Sequence, residues 1–212
     1  EAFYFCLNRR FPENTILSHD LLEGAYLRVG LIGDVEMTDI YPYKVTSYFS
    51  RLHRWIRGDW QVASWLRRVV KTPDGREKNP ISPIHKWEIW DNLRRSVTPI
   101  FTFIALLLGM IFSQRVFAAA AGAAILSAVS HLLLSGADLA FRRGAGMRAR
   151  YHSTIITGFG GVVLQTLVQL LFLPYHAYIS LSAICQAQYR IRISHKNMLS
   201  WVTAADAERT TK

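Results

Sequence analysis

A carboxylate, a cluster of arginines and a tryptophan are the residues here whose types and spacing could do chemistry. Asp20 closes the run Ser18-His19-Asp20, just ahead of an apolar-periodic stretch. A carboxylate there can take the proton of an attacking hydroxyl, as bond formation to an activated sugar requires. It can equally cap the helix that follows, accepting backbone N–H bonds for about 1 kcal/mol. Farther on, Arg51, Arg54 and Trp55 occupy neighbouring positions of one helix face, with Arg57 a little further round. Crowded arginines repel one another unless an anion or water screens them. A guanidinium fork matches phosphate oxygens two at a time, and a Trp beside it offers a flat apolar platform suited to the CH face of a sugar ring. Such a face can hold a sugar next to a diphosphate, or it can be a solvated basic surface.

The elements that must position these groups read as a mixed α/β region over 1–78. Leu21 to Val29 has the pattern of a helix that Gly30 stops, Leu31 to Thr38 reads as a strand, and Tyr41-Pro42 as a turn. From Val45 to about Arg57 the spacing predicts an amphipathic helix with Val45, Tyr48, Phe49, Leu52 and Ile56 on its apolar face. Asp34-Val35-Glu36 resembles an acidic metal motif, but it alternates inside the strand and lacks the preceding strand and following loop of such a site. No Cys/His group has zinc spacing, and no Gly-rich phosphate loop follows a strand. Cys6 and Cys185 are too few for a disulfide framework and read as two buried free thiols.

Half of the residues are hydrophobic, yet the formal net charge is +10. The charge gathers in 1–96, directly before apolar runs, which speaks for the cytoplasmic side of a membrane and against nucleic acid. Residues 79–96 read as an amphipathic interface helix carrying Trp87 and Trp90, with Ile89 and Leu93 on the same broad face. Spans are expected at about 97–113, 116–135 and 154–173, and 175–189 is a fourth crossing or an interfacial helix after a break at Pro174. The arginine loop 142–150 and the tail 190–212 belong inside by the positive-inside rule, the tail as a linker to a following domain. Asp138 with Arg142 has the spacing of a surface ion pair, and His131 is either a packing residue or part of a transport path. No secretory signal pattern opens the chain, and both ends read as cuts from a longer protein.

The order of these features resembles the processive glycosyltransferases of the cellulose-synthase kind, whose acid lies in a Thr-Glu-Asp motif and whose second motif is Gln-x-x-Arg-Trp. Here Ser18-His19-Asp20 and Arg51-Leu52-His53-Arg54-Trp55 depart from both. The strings at 10–37, 51–61 (RLHRWIRGDWQ), 79–97 and 201–208 (WVTAADAE) are similar to the narrower family of cyclic β-1,2-glucan synthases. That resemblance implies the C-terminal portion of a GT-A-like α/β glycosyltransferase domain, followed by an α-helical transmembrane region, in a multi-pass protein of the bacterial inner membrane with its catalytic part cytoplasmic. It implies UDP-glucose as donor, a glucan as acceptor, and a phosphorylase-like module later in the chain. By motif matching Asp20 is the inverting base, Arg51 and Arg54 hold the leaving diphosphate, and Trp55 and His19 contact the acceptor. A Mg²⁺ or Mn²⁺ ion is expected outside these residues, and the fragment alone is expected to be inactive. Another membrane polysaccharide synthase, or a non-catalytic membrane scaffold or transport segment, would share the same outline.

Overall fold

The computed structural model describes residues 2–18, 20–27, 30, 44–141, 164 and 166–201. His19, the strand read at Leu31 to Thr38 with Asp34 and Glu36, the 142–150 loop, the start of the 154–173 span and residues 202–212 lie outside them, as do the side chains of His131 and Asp138. The chain divides into two compact units, Glu1–Thr98 with Tyr178–Lys212, and Pro99–Ala177.

In the first unit the described elements are mostly helical. They are α1 (Ala2–Leu7), α2 (Asp20–Leu27), α3 (Val45–Val62), a 3-10 turn at Ala63–Leu66, and the strands β1 (Val69–Thr72) and β2 (Gly75–Lys78). The strands pair antiparallel, Val69 opposite Lys78 and Thr72 opposite Gly75, around a turn at Pro73-Asp74. This is the sheet among the described residues, and the sequence reading did not anticipate it. Val70 and Thr72 alternate inward, as a strand with one covered face requires. Arg9 and Arg10, just beyond α1, pair with Asp74 and Glu77 of the hairpin.

The core sits under this hairpin. Leu22 of α2, Val62, Trp65, Val70, Ile81 and Ile89 are buried together, with Phe11, Tyr26 and Leu93 packed against them. Phe11 stands edge-on to Tyr26 with ring centres 5.4 Å apart, and the Trp65 indole donates to the Tyr26 hydroxyl at 3.4 Å. Burial raises the pKa of that Tyr26 hydroxyl, against the opposing pull of the Trp65 hydrogen bond. Buried Asn79 ties the exit of the hairpin to the 3-10 turn, donating to the carbonyls of Trp65 and Arg67 and accepting from Ile81 N–H.

Next comes α4 (Pro83–Phe112), 30 residues without interruption, so the segment read as an interface helix is continuous with the first apolar run. Its expected single apolar face is split. Ile89 is buried and Leu93 packs on the core, whereas Trp87 and Trp90 are about half exposed, at 56% and 50%. α4 is long and apolar enough to cross a membrane.

The second unit takes the end of α4, α5 (Gln114–Phe141) and the start of α6 (Leu173–Tyr189). Only Ser113 separates α4 from α5, and its N–H bonds Gly109 O while its carbonyl accepts Phe117 N–H. The turn is so tight that a Cβ on Gly109 would lie 2.5 Å from the Phe117 nitrogen, so no larger side chain fits there. Just before the turn, Met110, Ile111 and Phe112 at the end of α4 are exposed. Pro174 interrupts the helical path by one residue, Phe172, rather than ending it: it falls in the first turn of α6, where its missing N–H costs nothing. In the first unit's part of α6, the small residues Ser180, Ala183 and Ala187 are buried while Tyr178, Leu181 and Tyr189 are exposed. Cys185, a free thiol expected to be buried, is exposed on the same helix, and Cys6 of α1 is only partly covered.

Candidate functional site

Helix α3 organises the site. Its buried residues are Ser47, Phe49, Ile56, Arg57, Gly58, Gln61 and Val62. Val45 and Tyr48, expected on the inner face, are exposed, and the inner face is instead largely polar towards the C-terminal end. Arg57 differs most from expectation. Rather than joining a basic outer face it is 6% exposed, donating to Gln186 Oε1 of α6 at 2.9 Å and to the carbonyl of Ser200. Burial, then the nearby Arg190 guanidinium, lowers its pKa.

Arg51 lies over the ring of Trp55, one turn on, at 4.4 Å. Arg54 lies over the ring of Trp201 at 4.5 Å. Such stacking is worth about 0.5–1 kcal/mol where partly exposed. It engages the flat face of the guanidinium and leaves the in-plane N–H groups of Arg54 the geometry for oxyanions. Trp55 keeps 38% of its surface exposed. His53, between the arginines, is pushed below its ordinary pKa by burial and then by Arg57 and Arg190.

Asp20 is the first residue of α2 and is exposed, with Ser18 Oγ 3.4 Å from its Oδ2. A carboxylate in a first helical turn is favoured by the helix dipole. The loop that leads to it is fastened to α3. Leu17 N–H donates to Gln61 Oε1 at 2.6 Å, and Ser18 packs on Gly58 so closely that a Cβ there would lie 2.9 Å from the Ser18 Cβ.

A second segment is fastened to the same helix. After α6 a π-helical turn at Arg190–Ser194 ends at His195 in the left-handed region, and the chain doubles back. Arg190 donates to Asn197 O and Ser200 Oγ at 2.6 and 2.8 Å. Gln61 Nε2 donates to Met198 O at 3.1 Å, Arg57 to Ser200 O, and Trp201 ends over Arg54. Of the expected site residues, the structure therefore stacks Arg51 on Trp55, gives Arg54 an unforeseen partner in Trp201, and anchors the approach to Asp20 on α3; His19 lies outside the described residues. Sequence reasoning put Arg57 on the outer basic face and missed Gly58, Gln61 and Trp201 as parts of the site. Residues 54, 57, 58 and 61 follow the i, i+3, i+4, i+7 spacing of one helix face, a signal obscured because that face is polar.

Towards α4, Asn92 donates to Asp59 Oδ1 at 3.2 Å and the Trp60 indole donates to Ser96 Oγ at 3.0 Å. Desolvation pushes the Asp59 carboxyl up to about 6, opposed by Asn92 and Arg95. Among the described residues no group of three or more His, Cys, Asp or Glu side chains is gathered to hold a metal ion.

No protein-family model matches the chain. Along 98% of its length it is similar, at 32% identity, to a segment of the cyclic β-(1,2)-glucan synthase NdvB of Rhizobium meliloti (strain 1021). The chain spans about 7% of the length of that relative.

Proposed function

We propose, from this kinship with cyclic β-1,2-glucan synthase, that the chain is the C-terminal part of a membrane glucosyltransferase domain together with the membrane helices that follow it. The kinship supports a piece of a glucan synthase, hence of a transferase. The finer reading is a GT-A-like domain that polymerises glucose from UDP-glucose by inverting transfer. The acceptor 2-hydroxyl attacks C1 of the donor glucose, the C1–O bond to the diphosphate breaks, UDP leaves with the electron pair, and the Asp20 carboxylate takes the hydroxyl proton. Arg54 and Arg51 stabilise the charge that grows on the diphosphate. Trp55, with one face under Arg51, offers its other face to the acceptor sugar, and His19 lies beside the base in sequence. Any Mg²⁺ or Mn²⁺ ion is assigned, as the resemblance implies, to another part of the domain, and no step is routed through it.

The observation that carries this reading is the similarity over nearly the whole chain, joined to the paired Arg–Trp stacks on and beside α3. In the same reading α4 enters the inner membrane of a bacterium, the catalytic part stays on the cytoplasmic side with Arg94 and Arg95, and a phosphorylase-like module follows in the longer protein.

The test is incorporation of labelled UDP-glucose into glucan by membranes carrying the full-length protein, wild type beside Asp20→Asn. A positioned general base contributes about 100- to 10,000-fold, so incorporation is expected to fall at least 100-fold with the protein still inserted. Equal incorporation would reduce Asp20 to a helix-terminal carboxylate. Incorporation in neither would move the donor to another nucleotide sugar or leave a non-catalytic membrane segment.

A further inference from the structure

The Asp20 loop and the 198–201 segment are tied to α3 through the same side chain. Gln61 is 7% exposed and uses both ends of its amide, Oε1 accepting from Leu17 N–H at 2.6 Å and Nε2 donating to Met198 O at 3.1 Å. Because its two partners are a backbone donor and a backbone acceptor, the amide has a single satisfied orientation.

From that anchor both segments run back along α3 towards Arg54. On one side Leu17 meets Gln61 and Ser18 meets Gly58. On the other Met198 meets Gln61, Ser200 meets Arg57, and Trp201 meets Arg54. Gln61 lies seven residues beyond Arg54, two turns on the same face and about 10 Å along the axis. Met198 and Leu199 form a turn that the Ser200 N–H closes on Asn197 O, and on the other side Ser18 leads towards Asp20 at the head of α2. On the 198–201 side the chain arrives at Arg54.

We propose that Gln61 is a positioning residue: through one buried amide it sets the reach of the Asp20 loop and of the 198–201 segment towards Arg54 at the same time. The proposal rests on the glucosyltransferase reading for its effect on turnover, but not for its geometry.

Gln61→Leu removes both bonds. Gln61→Glu is nearly isosteric, keeps the acceptor for Leu17 and loses the donor to Met198. The full-length protein in membranes is assayed for glucan synthesis from UDP-glucose, and for backbone hydrogen exchange at Leu17 and over 198–201. Gln61→Leu is expected to lower kcat about 10- to 100-fold, the cost of misplacing reacting groups by about an ångström, with the donor KM within about threefold and faster exchange in both segments. Gln61→Glu is expected to speed exchange over 198–201 alone and to fall between wild type and Gln61→Leu in kcat. If Gln61→Leu does not insert, Gln61→Glu carries the test. Exchange unchanged in both segments overturns the proposal, and so does faster exchange with unaltered kcat. A wild-type protein inactive with UDP-glucose sinks the donor assignment, and the exchange pattern then decides on Gln61.

Discussion

Asp59 is the residue whose ionisation the fold opposes most clearly. It lies where α3 meets α4, accepts from Asn92, and is pushed from 3.8 up to about 6 by desolvation. The folded state therefore holds this proton more tightly than the unfolded chain. Between pH 4 and 6 stability falls as pH rises, and above 6 the full penalty is present. Two pKa units correspond to about 3 kcal/mol at most. Asp59→Asn keeps an oxygen for Asn92 and removes the charge. The variant is expected to melt higher than wild type at pH 7 and to lose the difference near pH 4, measured as thermal midpoints of the protein in nanodiscs. Arg57 is the converse, a buried cation with neutral partners in Gln186 and Ser200, and it shows why a basic residue on a helix is not by that fact a surface residue.

At the scale of elements, α4 carries the membrane argument. Its 30 residues extend about 45 Å, against about 30 Å of hydrocarbon. Were α4 to cross as proposed, counting back about 20 residues from Phe112 would put the hydrocarbon boundary near Leu93, with Arg94 and Arg95 reaching back out of it to Asp91 and Trp90 and Trp87 about 4 to 9 Å beyond it. That is the headgroup layer, where Trp side chains concentrate. Both tryptophans are exposed and Arg94 beside them is paired with Asp91. Replacing Trp87 and Trp90 with Phe is expected to remove much of the tryptophan fluorescence that lipids brominated near the headgroup quench, and little of what lipids brominated at the chain end quench. An equal loss at both depths, or none, would place the tryptophans off the interface. Local patterning made α3 and α4 legible as helices, since apolar residues recur at helical spacing in both. The hairpin β1–β2 was not, because only Val70 and Thr72 turn inward and the run between is charged.

For the whole molecule, the units differ in what holds them. The first has a core of large side chains around Trp65, which is 3% exposed. Trp65→Ala is expected to cost about 3–5 kcal/mol, a large share of the roughly 5–15 kcal/mol that a domain has. Proteolysis at rising urea, followed by cleavage within residues 1–98, should show it. The sequence by itself determined that α2, α3 and the parts of α4 are helical, and it determined the apolar runs, the arginine–tryptophan cluster and the likeness to a glucan synthase, since each is written in spacing along a short stretch or in long matching strings. Only the tertiary structure decided that Arg57 and Gln61 are buried, that Trp201 stacks on Arg54, and that Ile89 and Trp87 face different surroundings. The reason is physical. Periodicity states which residues share a face, but a buried polar side chain is tolerated only where a partner waits. The partners of Gln61 and Arg57 in the 198–200 segment lie 137 and 143 residues away along the chain, beyond the reach of any local pattern.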